Sequence, residues 1–409
     1  MANALITPNW VLKRVGRLAI NNLMFANNVD RSYDDEYVQA GAKVGDTISL
    51  RLPQRFVTTK GQAFQQQAIV DQIVPVTLTD QANVGISFSS FQMTVDVDDY
   101  NSRYVEPAAV QLANTMDFDG LSRVYKEVYN SVGVPGVPPT QNSTYQAANT
   151  LLSNLAAPPN RMVITTSDMQ AAITSTNFAL FNPASTISDS FETNTYGSGV
   201  LGFRKWYWDQ NVAQHTVGSY TGTPLVAGAN QTGSTITIDG WGTGSTLNKG
   251  DVLYLGAASG GAASTGVFSV NPQNYQSNRS LEGFVVQQTT TESGGSMTIP
   301  IAPSIITSGA LQTVTASPVD NAVVSVFGAS GAVGSQGLAW VKEAVVMVMA
   351  DLVEPEGGAL SERIRSKPLG FALRFVKQYN ILSDQNLARI DCIYGWKTYR
   401  PEWVCRIQG

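Results

Sequence analysis

The chain has 409 residues, enough for two or three domains and a sizeable core. Only 14% of them are charged, against about 25% in an ordinary globular protein, so solvated surface is scarce and packing against partners is expected. A formal net charge of −5 gives no long-range pull on phosphates and argues against a DNA-reading role.

No apolar run reaches the roughly 18 residues of a membrane span, the longest lying around Ala344 to Met349. Asn, Lys and Arg interrupt the start of the chain where a leader would carry its apolar stretch, so a soluble protein made in the cytoplasm is expected. The two cysteines, Cys392 and Cys405, are too few for a disulfide scaffold or a four-cysteine metal site and read as small buried apolar side chains.

In chain order, Thr7 and Pro8 read as a helix cap followed by proline at the first helical position, and Val11, Val15, Leu18 and Phe25 recur at helical spacing. The segment is either an ordinary core helix or an amphipathic arm lying on a neighbour. Its cations Lys13, Arg14 and Arg17 read as a solvated face. Over residues 45–97 the period changes to two: Ile48, Leu50 and Leu52 alternate with polar residues, as do Phe91, Met93, Val95 and Val97, which predicts strands. Between them residues 54–72 are rich in Gln and poor in large aliphatics, which predicts an extended hairpin or loop projecting from the body. A second helix is expected from Val105 to about Val132, on the order of 40 Å long, with Leu112, Ala113, Met116, Val124 and Val128 on one side. Pro135, Pro138 and Pro139 break the chain ahead of a helix over 145–155 and an apolar strand over 162–165.

From about 216 to 335 there are only seven charged residues: Asp239, Lys249, Asp251, Arg279, Glu282, Glu292 and Asp320. Short β-branched runs at 235–238 and 252–255 alternate there with turn residues, which predicts a small β-barrel or sandwich inserted into the body. Residues 337–353 then read as one buried central strand and 371–407 as further strands, so the first and last parts of the chain are expected to fold together.

Catalysis needs a positioned base, nucleophile or metal, and the candidates are few. The single histidine, His215, lies at the edge of the insertion with no evident carboxylate partner and reads as a surface or junction residue. The acidic groups Asp34-Asp35-Glu36 and Asp96, Asp98 and Asp99 lack the spacing of a calcium loop and read as solvated loop charge. The glycines of 256–266 lack the Lys and Ser/Thr of a phosphate loop, and Gly197-Ser198-Gly199 has the wrong spacing for a nucleophile elbow. No catalytic, cofactor-binding or metal-binding residue is therefore expected, and the chain is not read as an enzyme.

The order of these segments, together with particular residues, resembles the P22-like coat proteins of tailed bacteriophages. The residues are Val44-Gly45-Asp46-Thr47, Arg51-Leu52-Pro53-Gln54-Arg55-Phe56, Asp98-Asp99-Tyr100 and Arg103-Tyr104-Val105-Glu106-Pro107-Ala108 in the first part. The insertion adds Lys249-Gly250-Asp251-Val252, Phe268-Ser269-Val270-Asn271-Pro272-Gln273 and Val285-Val286, and the last part adds Ala339-Trp340, Tyr394-Gly395-Trp396 and Arg400-Pro401. The resemblance implies an α+β chain with the HK97-type capsid fold. Its parts would be an N-terminal arm (1–44), a P-domain with an E-loop and spine helix (45–133, loop about 52–75, helix about 105–132), and a divided A-domain (134–215 and 336–355). An inserted β-barrel (216–335) and C-terminal P-domain strands (356–409) would complete it. It also implies a major capsid protein, assembled in the bacterial host cytoplasm as pentamers and hexamers of an icosahedral shell that encloses double-stranded DNA without sequence-specific binding. Scaffolding, portal and decoration proteins would be its partners. The short segment before Lys249 departs from family members with a long inter-capsomer loop there. The competing reading is a β-rich phage binding or fibre protein whose 216–335 module binds carbohydrate, with Trp206, Tyr207 and Trp208 as the aromatic platform.

Overall fold

The computed structural model describes residues 23–32, 47–62, 66–67, 69, 71–89, 106–140, 142–177, 201–256, 265–355, 360–366 and 371–409. The expected helix over 8–22, the strand at 91–97 and the acidic groups at 34–36 and 96–99 lie outside them. Helices and many strands mix in one chain, an α+β composition, and the chain divides into two compact units.

The first unit comprises Met1–Leu50, Ile73–Leu121 and Val346–Lys397. Its sheet is antiparallel in the order Leu360–Ser366, Phe371–Asn380, Gln385–Thr398, and the last of these also pairs with Asp80–Ser89. Period-two patterning decides its faces: Leu373, Phe375, Ile390, Cys392 and Tyr394 are buried on one side, while Arg374, Val376, Leu387 and Arg389 alternate onto the other. The buried side meets the helix Glu106–Val124 through Leu112, Ala113 and Met116. Gly120 on that helix lets the Trp396 indole approach, since a Cβ there would stand 2.7 Å from the ring, and Trp396 in turn stacks on Phe25 at 5.4 Å. Gly120→Ala is therefore expected to lower stability by about 1–3 kcal/mol despite the better helix propensity of alanine, a loss read as a lower urea midpoint. Asp117, fully buried one turn earlier, accepts the backbone N–H groups of Met24, Phe25 and Ala26 at 2.7, 3.2 and 2.9 Å. The described end of the expected arm is thus held on its own subunit.

The second unit comprises Arg51–Gln72, Ser122–Val345 and Thr398–Gly409. Its body sheet runs Ser131–Gly133, Val404–Gln408, Val333–Val341, Arg161–Thr165, Lys205–Trp208, with two parallel pairings at the outer positions. Helices Asn142–Asn154 and Ser167–Asn177 pack Tyr145, Ala148, Leu152, Met169 and Ile173 into its core. The buried Arg161 guanidinium donates to Asn149 O and Ala157 O, satisfying carbonyls at the end of the first of these helices. A six-stranded sheet follows, ordered Val324–Val326, Val252–Leu255, Gly283–Val286, Met297–Ile305, Gly233–Trp241, Gly222–Val226. Its two outer strands meet through the Leu225↔Val323 bridge and a bond from Val226 N–H to Ala322 O. Ile236, Ile238, Leu253, Leu255, Phe284, Val286 and Ile299 fill its interior.

Three expectations are corrected. The spine helix ends at Val124, followed by a 3-10 turn to Glu127 and then Ser131–Gly133 as a strand, because that segment pairs with the C-terminal strand. The apolar run 337–353 is two strands, Val333–Val341 and Val345–Ala350, in different sheets and divided at Lys342–Ala344. The final strand, grouped by resemblance with the other strands of 356–409, instead pairs with Val333–Val341 in the body sheet. The start of the 51–72 segment is bonded to its own chain: Arg55 bonds Glu402 at 2.8 Å, the Tyr399 hydroxyl donates to Arg51 O, and the Tyr275 hydroxyl donates to Phe56 O.

Candidate assembly surfaces and a buried polar junction

The Lys249-Gly250-Asp251 turn carries the densest polar chemistry of the second unit. Asp251 accepts the N–H of Asn248 at 2.7 Å and of Gly218 at 3.0 Å through one oxygen, and its other oxygen meets His215 Nε2 at 2.8 Å. Gly250 adopts φ +103°, which a side chain would strain, and a Cβ there would also press on His215 and Lys126. The Gly250 carbonyl accepts from Arg406 Nη1 at 2.8 Å, and the Tyr125 ring stands edge-on to His215 at 5.5 Å. Burial lowers the Arg406 guanidinium to about 10, partly opposed by the nearby Tyr254 and Asp251. His215 is therefore a buried junction residue with a carboxylate partner, which corrects the expectation of a surface position and of no evident partner. The partner lies 36 positions away in the insertion, and no local pattern connects them.

Among the described residues the His215 ring hydrogen-bonds the Asp251 carboxylate and no hydroxyl or thiol. The nearby Cys405 thiol is pushed up to about 12 by burial, which keeps it protonated and unreactive. The junction's chemistry is that of a clamp, tying the turn at Asp251, which leads into the strand Val252–Leu255, to the body sheet at Arg406. No group of three or more His, Cys, Asp or Glu residues suited to a metal ion occurs among the described residues. Nor, among them, is any helix long and apolar enough to cross a membrane.

A second buried acid sits at Glu282, where burial, helped by Glu402, raises the carboxyl to about 8. Glu402 is the same residue that holds Arg55, so the anchor of the 51–72 segment and this buried acid share one electrostatic environment. Tyr129, fully enclosed beside them, is likewise pushed up by burial and by Glu282.

The aromatic trio separates. Trp206 is buried against Tyr145 at 5.0 Å and Phe203 at 5.7 Å, whereas Trp208 is exposed. Core packing claims the first of the three and leaves no continuous aromatic platform. Exposed large apolar side chains stand elsewhere. Phe56 and Ile69 are open on the 51–72 segment, and Ile381 and Leu382 are open at the turn between Phe371–Asn380 and Gln385–Thr398.

Similar solved structures include one from Mycobacterium phage Che8, at 13% identity and TM-score 0.48 over 94% of this chain and 90% of that one. The capsid of Cyanophage P-SCSP1u is similar at 10% identity and TM-score 0.42 over 89% and 83%. The capsid of Ralstonia phage GP4 is similar at 9% identity and TM-score 0.42 over 89% and 83%. No curated protein matches. The family model described as P22 coat protein, gene protein 5, matches residues 8–408. Covering all but eight of the 409 residues at the two ends, that match places the chain in the P22 coat protein family.

Proposed function

We propose that this chain is a major capsid protein that self-assembles as pentamers and hexamers into an icosahedral shell around a double-stranded DNA genome. The family match across residues 8–408 carries the reading. The HK97-type layout belongs to the proposal as well, with an arm at 1–44, a P-domain at about 45–124 and 356–397, an A-domain at 134–215 and 336–355 that takes in the strands Ser131–Gly133 and Val404–Gln408, and a barrel inserted at 216–335. The inserted sheet, whose outer strands meet at Leu225↔Val323, supports the barrel. Scaffolding and portal proteins act during assembly in the host cytoplasm, and a decoration protein is a further partner of the shell. The test is negative-stain electron microscopy of the overexpressed chain, alone and with a co-expressed scaffold. Closed shells, spirals or ring-shaped capsomers are expected, and a dispersed monomer under every condition overturns the reading.

The 51–72 segment is the E-loop of this scheme and lies over an adjacent subunit in the shell. Its polar residues brace it internally and on its own chain, Gln54 to Asp71 at 2.6 Å and Arg55 to Glu402, which leaves Phe56 and Ile69 facing outward. Bracing lowers the ordering cost of binding. Deleting its tip is expected to abolish particles while the subunit keeps a native circular-dichroism spectrum; particles at wild-type yield would refute the assignment.

A further inference from the structure

The turn joining Phe371–Asn380 to Gln385–Thr398 is built to present two aliphatic side chains. Ile381 is 80% and Leu382 94% exposed. Polar bonds hold them there: the Leu382 N–H donates to Asn380 Oδ1 at 3.0 Å and the Tyr379 hydroxyl to Asp384 Oδ1 at 2.8 Å. The strands remain paired up to Asn380↔Gln385, so the turn cannot bend back onto its own sheet.

The solvent face of the same sheet carries a groove of about 390 Å³. Its lining includes Gly85, Val376, Leu387 and Pro355, with Arg374 and Arg389 at one end. Gly85 makes the dent, because a Cβ built there meets nothing within 4 Å, and its strand partner Arg389 flanks it. Arg374 and Arg389 both pair with the single buried carboxylate of Asp391, leaving these three residues one positive charge in excess. The turn's one charged residue, Asp384, is acidic. The groove is at the small end of concave binding sites, roughly 300–1,000 Å³, a size for a pair of aliphatic side chains and not for a folded module.

We propose that the Ile381–Leu382 turn of one copy docks in the Gly85 groove of a second copy, with Asp384 toward Arg389. Knob and groove are different patches of one subunit, so the contact is head-to-tail and propagates around a ring or shell, unlike a closed two-fold pair. The proposal rests on the shell-subunit reading and names a contact within it.

The test uses the full chain with Leu382→Cys and Gly85→Cys combined, assembled as for the wild type and then oxidised. The native Cys392 and Cys405 are buried and serve as silent background. Covalent ladders in denaturing gels are expected from the double variant and from neither single variant. Particles that form without a ladder overturn the docking and leave the capsid reading standing. Ladders from Leu382→Cys alone would place turn against turn and also overturn it. Failure of the wild-type chain to assemble at all removes the capsid reading and the docking with it. As a second arm, Gly85→Leu puts a side chain into the groove from a position where a Cβ meets nothing within 4 Å, and is expected to keep the wild-type melting temperature while cutting particle yield at least about tenfold. Wild-type yield from a folded Gly85→Leu subunit would sink the proposal.

Discussion

Asp251→Ala is expected to lower the unfolding free energy of the unassembled subunit by about 3–5 kcal/mol, the range for stripping one partner from a buried charged network. The size follows from the number of groups left behind. Asn248 N–H and Gly218 N–H lose their shared acceptor, His215 loses its carboxylate, and the fully buried Arg406 loses a nearby negative charge. His215→Ala removes only one of these bonds and leaves Asp251 with two backbone donors, so about 1–2 kcal/mol is expected. Urea unfolding followed by fluorescence separates the two, provided the slope is unchanged. Equal losses from both variants would mean that the imidazole, not the backbone cap, carries the junction. A loss below about 1 kcal/mol for Asp251→Ala would mean that the clamp does not hold the inserted strands at all.

The same junction shows what the sequence could and could not convey. Asp251 stands in a legible turn, Asn248-Lys249-Gly250-Asp251, and Gly250 at φ +103° is what such a turn needs. Its pairing with His215 was not legible, because contacts between distant segments leave no trace in periodicity. The run 337–353 failed for a related reason: a continuous apolar stretch reports burial but not which sheet receives each half, and only the polar Lys342-Glu343 step hinted at the change. The helix beginning near residue 106 was legible from its apolar spacing, yet its end was not, since Val128 and Val132 continue that spacing in extended backbone. Two further signals stand in the sequence. Asp117 lies on the apolar face of the helix beside Ala113, Met116 and Gly120, where a lone acid implies buried donors, here those of Met24, Phe25 and Ala26. Ile381-Leu382 occupies a turn between two period-two strands, where polar residues are the rule, and that exception marks the proposed knob.

Glu282→Gln is expected to stabilise the subunit, and increasingly so as the pH rises. Burial, with Glu402 adding to it, raises the folded carboxyl to about 8, whereas in the unfolded chain it titrates near the ordinary glutamate value of about 4.3. The folded state therefore binds the proton more tightly. Its contribution to stability is complete below the unfolded pKa and is lost as pH climbs to about 8. Each unit of that interval is worth about 1.4 kcal/mol for one proton, so the advantage of the Gln variant should grow from near zero at pH 4.5 to about 3–5 kcal/mol at pH 8. Melting temperatures of variant and wild type measured every half unit across this interval give the answer. Curves that diverge with rising pH are expected, and parallel curves would show that Glu282 titrates normally in the folded subunit. Because Glu402 both raises Glu282 and binds Arg55, Arg55→Ala provides the companion measurement. Removing that cation leaves the negative charge of Glu402 unopposed beside Glu282, so the carboxyl should rise further and the pH at which its contribution disappears should move upward. An unmoved profile would mean that the anchor of the 51–72 segment and the buried acid are electrostatically independent.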